Sequence, residues 1–111
     1  MLIVTLPLSL MASCEIGLED DDVAKGKTMF WSNFDGPPID VYVDGNFYGT
    51  ITTFYSETPD CESNGCVTII LPTGTYDFYA VEQSNVGTQP RDWEGPFSVK
   101  TNSCGTILLS P

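Results

Sequence analysis

The chain contains no histidine and only four basic residues against 15 acidic ones, which gives a net charge of −11 at neutral pH. Without histidine, a serine or cysteine nucleophile lacks its usual general base. Zinc is disfavoured for the same reason, since imidazole is one of its main ligands. The negative charge repels phosphate backbones, so we expect no nucleic-acid partner. We predict a non-enzymatic protein without a metal or cofactor.

Basic residues are also missing from the first 13 residues, which are almost entirely apolar. This segment is too short to span a bilayer as a helix. It matches the apolar part of a secretory signal peptide followed by small residues at a cleavage point. Because the positive start of such a signal is missing, we expect translation to begin upstream of Met1. The alternative is a buried N-terminal strand that ends in an ordinary cysteine.

The segment Leu10-Met-Ala-Ser-Cys14 resembles a bacterial lipobox, although Met11 stands where leucine is usual. The resemblance implies cleavage before Cys14 and attachment of a lipid to it. Residues 14–27 then form an acidic flexible tether. Its acidic run resembles the export signal of surface-exposed lipoproteins in Bacteroidota, with a plain solubilising linker as the alternative. This implies a lipid-anchored protein of the cell envelope, in the outer membrane and exposed at the surface.

Residues 28–111 contain short segments in which apolar and polar residues alternate, separated by Gly, Pro, Asn and Asp. This pattern predicts an all-β fold, a seven-stranded antiparallel β-sandwich. The predicted strands are 28–33, 39–43, 47–51, 67–71, 76–81, 97–100 and 104–109. Pro-Thr-Gly at 72–74 is expected to join the fourth and fifth strands as a central hairpin. Alternation then directs Tyr76, Phe78 and Ala80 into the core, with Ile39, Val41, Ile69 and Val99 near them.

Asp44-Gly45 predicts a hairpin between the second and third strands. A two-residue loop would pair Val43 with Asn46. A three-residue loop would pair Tyr42 with Asn46 and place Ile39 and Val41 on the same face as Phe47 and Ile51. We prefer the second register, because it alone collects the apolar residues on one face.

The pair of segments Val41-Tyr-Val-Asp-Gly45 and Leu71-Pro-Thr-Gly-Thr-Tyr76 resembles PEGA-like and carboxypeptidase-regulatory-like domains. The resemblance covers residues 28–109. It implies a sandwich of transthyretin- or immunoglobulin-like type, as found in bacterial surface and secreted proteins. Trp93-x-Gly95 and a cysteine that opens the last strand are also similar to small lipoproteins of this kind.

Three cysteines remain if Cys14 is lipidated, and an envelope location permits disulfides. A Cys61–Cys104 bond would tie the long loop 54–65 to the last strand, whereas Cys61–Cys66 would close only a short turn. The longer closure, about 44 residues, gives the larger entropic stabilisation. We therefore predict the Cys61–Cys104 disulfide, with Cys66 free and partly buried.

Two groups of acidic residues suggest chemistry. Residues 60–65 imitate the first half of a calcium loop, but Leu71 stands where the bidentate Glu would be. An ordinary polar turn is the preferred interpretation. Asp92 and Glu94 flank Trp93, within a second predicted loop, 83–94, as paired carboxylates do in sugar hydrolases. We prefer solvated acids beside a tryptophan that covers the end of the sandwich.

Aromatic residues supply the candidate binding surface. Alternation directs several tyrosines outward, and aromatic rings on a sheet face stack on sugars or anchor a protein partner. The predicted surface consists of Tyr42, Tyr48, Tyr79 and Trp93. We expect a lipid-anchored, non-catalytic binding or structural module that contacts a glycan or an envelope protein. A carboxylate-based hydrolase and a purely structural subunit of an envelope complex are the alternatives.

Overall fold

The computed structural model describes residues 24–84, 87 and 89–111. The predicted leader, Cys14 and most of the predicted tether lie outside these residues. The described part contains seven strands, namely β1 (Lys25–Ser32), β2 (Ile39–Val43), β3 (Asn46–Ile51), β4 (Val67–Pro72), β5 (Gly74–Glu82), β6 (Asp92–Val99) and β7 (Cys104–Leu109). They form two sheets, ordered β4-β1-β7 and β3-β2-β5-β6. The predicted seven-stranded β-sandwich is therefore confirmed.

Several strand limits differ from the predicted ones. β1 begins at Lys25 rather than Thr28, because Lys25 continues the antiparallel pairing with β4 as far as Pro72. β6 begins at Asp92 rather than Phe97, because the residues from Asp92 onward pair with β5. One pairing is parallel, between β1 and β7. Parallel neighbours require a long connection, and here the rest of the domain separates the two strands.

The predicted central hairpin at residues 72–74 is wrong. β4 pairs with β1 in the three-stranded sheet, whereas β5 pairs with β2 and β6 in the other. Pro72-Thr-Gly74 therefore carries the chain from one sheet to the other. The Tyr76 hydroxyl donates a hydrogen bond to the Pro72 carbonyl (2.7 Å) and fastens this crossing. A turn between two strands has the same sequence pattern whether the strands pair within one sheet or lie in two opposite sheets.

The β2–β3 hairpin combines the two registers considered from the sequence. Val43 pairs with Asn46 across a two-residue turn, with Asp44 and Gly45 both at positive φ (48° and 85°). This is the type I′ geometry that an Asp-Gly pair favours. A bulge then shifts the register, so that Ile39 faces Ile51 on the core side. The preferred three-residue loop is wrong, but the shared face of Ile39 and Ile51 is confirmed.

The core lies between the sheets and contains the inward residues of both. Phe30 is completely buried and makes edge-to-face contacts with Phe78 and Phe97, at centroid distances of 5.3 and 5.6 Å. Aromatic pairs prefer this geometry, which adds to the stabilisation from burial. The inward parity predicted for β5 is correct, since Ala80 is buried while Tyr76 and Phe78 pack against the core. The other predicted core residues, Ile39, Val41, Ile69 and Val99, are buried as well.

In the three-stranded sheet, the outer side of the central strand β1 is covered by another part of the chain. Met29 and Trp31 alternate with the inward residues of β1, yet only 0% and 5% of their surfaces are exposed. The connection between β3 and β4 runs over them. It is held by a bridge between Ser32 and Phe54, and by the disulfide that joins Cys61 to Cys104 of β7. The long loop thus covers β1 at the centre of this sheet, while Ile70 on β4 and Leu108 on β7 stay 56% and 43% exposed. We call the outer face of the four-stranded sheet the open face.

Candidate functional site

An aromatic row crosses the outer face of the four-stranded sheet. It consists of Phe47 on β3, Tyr42 on β2 and Tyr79 on β5, which are direct partners across neighbouring strands. The ring centroid of Tyr42 lies 5.5 Å from that of Phe47 and 6.3 Å from that of Tyr79. Phe47 is 57% and Tyr79 39% exposed. With strands about 4.8 Å apart, the row presents an apolar strip about 10 Å long to solvent.

The two-residue hairpin turn creates this row. Because Val43 pairs with Asn46, Phe47 pairs with Tyr42 and shares its outward direction. Any register that buried Phe47 would have removed one end of the row. Tyr48 falls at the bulge without a Cα partner in β2, and 42% of its surface is exposed. Bulges commonly re-aim a side chain in this way.

Carboxylates border the row on the β5–β6 side. Glu94 is the direct partner of Tyr79, and Asp77 lies two residues before it on the same face. Val81 follows Tyr79 by two residues on the same face of β5. Its partners are Asp92 on β6 and Asp40 on β2. We call Asp40, Asp77, Asp92 and Glu94 the acidic border. Asp77, Asp92 and Glu94 are exposed, and Asp40 is half-buried.

The acidic border acts directly on the Tyr79 hydroxyl. This hydroxyl donates a hydrogen bond to Oδ2 of Asp92 at 3.3 Å. Partial desolvation, followed by the charge and hydrogen bond of Asp92 and the charge of Glu94, raises the pKa of Tyr79. Negative charges favour the neutral phenol over phenolate. The end of the row at Tyr79 therefore lies in a negative potential, while the end at Phe47 is apolar.

The structure brings together some of the predicted surface residues and separates others. Tyr42 and Tyr79 are neighbours in the row, and Tyr48 lies on the adjoining strand. Trp93 is the partner of Ala80 on the inner side of β6, where it packs against Phe34 and donates a hydrogen bond to the Ser110 carbonyl (2.8 Å). It belongs to the core and not to the row. Phe47, which the sequence reasoning assigned to the core, takes its place.

Asp92 and Glu94 lie in β6, not in a loop as the sequence suggested. Both project from the outer face of an edge strand, and the aromatic row lies beside them. Glycosidases hold their two carboxylates on opposite sides of one bond. Here both acids stand on one open face. This arrangement suits recognition of a ligand lying across the sheet.

The three cysteines of the described residues lie at or beside the three-stranded sheet. The predicted Cys61–Cys104 disulfide is confirmed, with 6.3 Å between the Cα atoms. Cys66 is the free cysteine of the described part and is half-buried; burial raises the pKa of its thiol. A cleft of about 400 Å³ lies beside the disulfide, and an ion pair between Lys27 and Glu62 (3.2 Å) lies in its wall. Sequence reasoning did not anticipate this cleft.

The segment 60–65 is a hydrogen-bonded turn. The Asp60 carbonyl accepts bonds from the backbone N–H and the hydroxyl of Ser63, and the Asn64 carbonyl accepts one from Tyr55. Glu62 pairs with Lys27. In the described ranges, no group of three or more acidic or cysteine side chains is placed to hold a metal ion. The turn's oxygen atoms thus serve bonds within the protein.

No protein-family model, curated protein or solved structure matches the chain. The resemblance to PEGA-like domains and to lipoproteins of Bacteroidota remains a prediction from short motifs. Within residues 24–84, 87 and 89–111, no helix is long and apolar enough to cross a membrane. Functional inference must therefore rest on the geometry of the open face.

Proposed function

We propose that this protein is a lipid-anchored, non-catalytic binding module of the cell envelope. In this proposal Cys14 carries the lipid at the outer membrane, and residues 15–24, which precede β1, hold the sandwich away from the bilayer. The outer face of the four-stranded sheet binds a glycan or a protein partner. The leader and lipobox-like segment support the anchor, and a disulfide is typical of an oxidising compartment outside the cytoplasm.

The aromatic row is the observation that carries the proposal. A domain of this size gains stability by burying large aromatic side chains, yet this one displays Phe47 and Tyr79 on either side of Tyr42. Contiguous exposed apolar surface rimmed by polar groups marks an interaction site. Aromatic residues supply much of the binding energy where proteins meet partners. On the other sheet, Ile70 and Leu108 are exposed on separate edge strands with β1 between them, whereas the rings of the row contact each other across three neighbouring strands.

The position of the acids favours binding over hydrolysis. A hydrolytic pair requires one carboxylic acid and one carboxylate around an enclosed bond. Asp92 and Glu94 are both exposed, and Asp92 is bound to the Tyr79 hydroxyl. They are arranged to accept hydrogen bonds or to face positive charge. We therefore assign them to recognition.

The experiment is quantitative affinity capture with the full-length protein in solubilised envelopes. Tyr42→Ala and Tyr79→Ala remove parts of the row, and we expect each to reduce recovery of the specific partner by at least about tenfold, since aromatic anchors contribute 2 kcal/mol or more. Phe54→Ala is the matched control, because Phe54 is 47% exposed but lies on the loop over the other sheet. Equal recovery from all three variants would contradict the proposal.

A further inference from the structure

We infer that the open face binds an arginine-bearing segment of a protein partner, with the guanidinium stacked on Tyr79 and paired to Asp92 and Glu94. The inference rests on the proposed function and names the chemistry of its ligand. Three features carry it: the exposed ring of Tyr79, the carboxylates around that ring, and the lack of an ion pair between these carboxylates and a basic residue of the described part.

The ring and the carboxylates are close enough to act on one group. Glu94 is the direct cross-strand partner of Tyr79, and Asp92 reaches the Tyr79 hydroxyl at 3.3 Å. A guanidinium is planar and presents several N–H donors in one plane, so it can lie on an aromatic ring while donating to a carboxylate at the ring's edge. A lysine ammonium is a point charge and satisfies only part of this arrangement. The site therefore favours arginine over lysine.

The protein's own cations do not neutralise this face. Lys25 and Lys27 belong to β1 in the other sheet, and Lys27 is paired with Glu62. Arg91 directs its guanidinium to the buried carboxylate of Glu82 (2.7 Å) and over the ring of Phe34 (4.9 Å). Lys100 follows Val99 at the end of β6, six residues beyond Glu94. The acidic border thus has no basic partner in the described part of the chain.

The rest of the row fits a peptide better than an isolated ion. From Tyr79 the strip continues through Tyr42 to Phe47, about 10 Å away, and becomes apolar. A peptide with an arginine and an apolar residue a few positions apart would cover both ends. The negative charge of the face also repels anionic segments and raises the encounter rate with cationic ones.

The test uses the full-length protein in nonionic detergent and three synthetic peptides that are identical except for arginine, lysine or uncharged citrulline at the central position. Binding is followed by NMR at the amides of β2, β5 and β6. We expect the arginine peptide to bind most tightly and to shift the signals of Tyr79 and Glu94. The citrulline peptide should bind at least about tenfold more weakly, since it loses the charge, and charge-assisted hydrogen bonds are roughly twice as strong as neutral ones.

Variants separate this site from general attraction to an acidic protein. Tyr79→Ala keeps every charge and should weaken the arginine peptide about fivefold, as expected for one cation–π contact. Asp92→Asn with Glu94→Gln keeps the ring of Tyr79 and should weaken binding of the arginine peptide further. Glu57→Gln with Asp60→Asn removes the same number of exposed charges from the loop over the other sheet. If this control weakens binding equally, or if citrulline binds as well as arginine, the inference is overturned.

A third outcome separates a wrong ligand from a wrong binding face. If neutral oligosaccharides shift the amides of the aromatic row while the arginine peptide does not, the ligand assignment is wrong and the binding face stands. If the envelope partner is captured equally by the wild type and the row variants, the proposed function itself is wrong.

Discussion

The hydroxyl of Tyr79 donates a hydrogen bond to Oδ2 of Asp92, 3.3 Å away, on the open face of the four-stranded sheet. Tyr79 lies on β5 and Asp92 on β6, two residues away from Glu94, the direct partner of Tyr79. The contact therefore joins the aromatic row to its acidic border. It also makes the charge state of Tyr79 sensitive to the carboxylate. A phenol beside a carboxylate resists ionisation.

This relationship predicts an unusual titration of Tyr79. Its pKa is raised, so the folded state binds the phenolic proton more tightly than the unfolded state. The resulting stability is present below the ordinary tyrosine pKa and is lost as pH rises through the raised value. Asp92→Asn should lower the pKa of Tyr79, while desolvation keeps part of the increase. NMR titration of the tyrosine ring carbons measures the pKa of Tyr79 in the wild type and in the variant. Glu57→Gln serves as a control that should leave this pKa unchanged.

The buried carboxylate of Glu82 predicts a stability effect at the C-terminal end of β5. Arg91 donates to it from Nη1 and from its backbone N–H, both at 2.7 Å. Arg91→Ala keeps only the backbone bond, so we expect a loss of roughly 2 kcal/mol in the free energy of unfolding. Lys27→Ala removes an exposed pair and should cost less than about 1 kcal/mol. Equal losses in denaturant titrations would show that burial of Glu82 does not matter.

The disulfide predicts a coupled effect on stability and on Trp31. Cys61→Ala with Cys104→Ala releases the loop that covers the three-stranded sheet. The loop-entropy relation gives a loss of up to about 4 kcal/mol for a sequence separation of 43. Trp31 should become more exposed, which a fluorescence quencher detects. Cys66→Ala is the control and should leave the bridge intact. A Cys61–Cys66 bond in non-reducing peptide maps of the wild type would contradict this account.

The anchor predicts a change of location. Cys14→Ser should move the protein from the membrane fraction to the soluble fraction of the envelope, because the residue that receives the lipid is gone. Mass spectrometry of the wild type should find an acylated Cys14 at the N-terminus. A variant that keeps its leader and stays in the membrane would contradict lipidation.

Local pattern was sufficient for most of the fold. Alternation within β2 and β5 identified the inward residues, and Asp44-Gly45 identified the hairpin, since both depend on neighbours in sequence. The arrangement of strands between sheets was not accessible in this way. β4 and β5 adjoin in sequence but lie in opposite sheets, and the parallel contact of β1 with β7 joins the two ends of the domain.

The candidate site was predicted only in part. Tyr42 and Tyr79 were identified because they alternate with core residues. Phe47 was assigned to the core because the bulge that changes the register after it has no signal in the sequence. Trp93 was expected at the surface because β6 was thought to begin later. For Phe47 a shift of one residue moves the side chain to the other face, and for Trp93 the predicted loop is part of β6, so the composition of the row required the structure.

Site-specific photo-crosslinking in living cells of the source organism tests the central claim most directly, that the aromatic row is the binding surface. A photoreactive benzoylphenylalanine replaces Tyr79 in one strain and Phe54 in another; both positions are exposed, but Phe54 lies beside β1 of the other sheet. We predict a discrete covalent adduct from position 79, identifiable as protein or glycan by mass spectrometry, and none of that species from position 54. The same adduct from both positions, or from position 54 alone, would contradict the account.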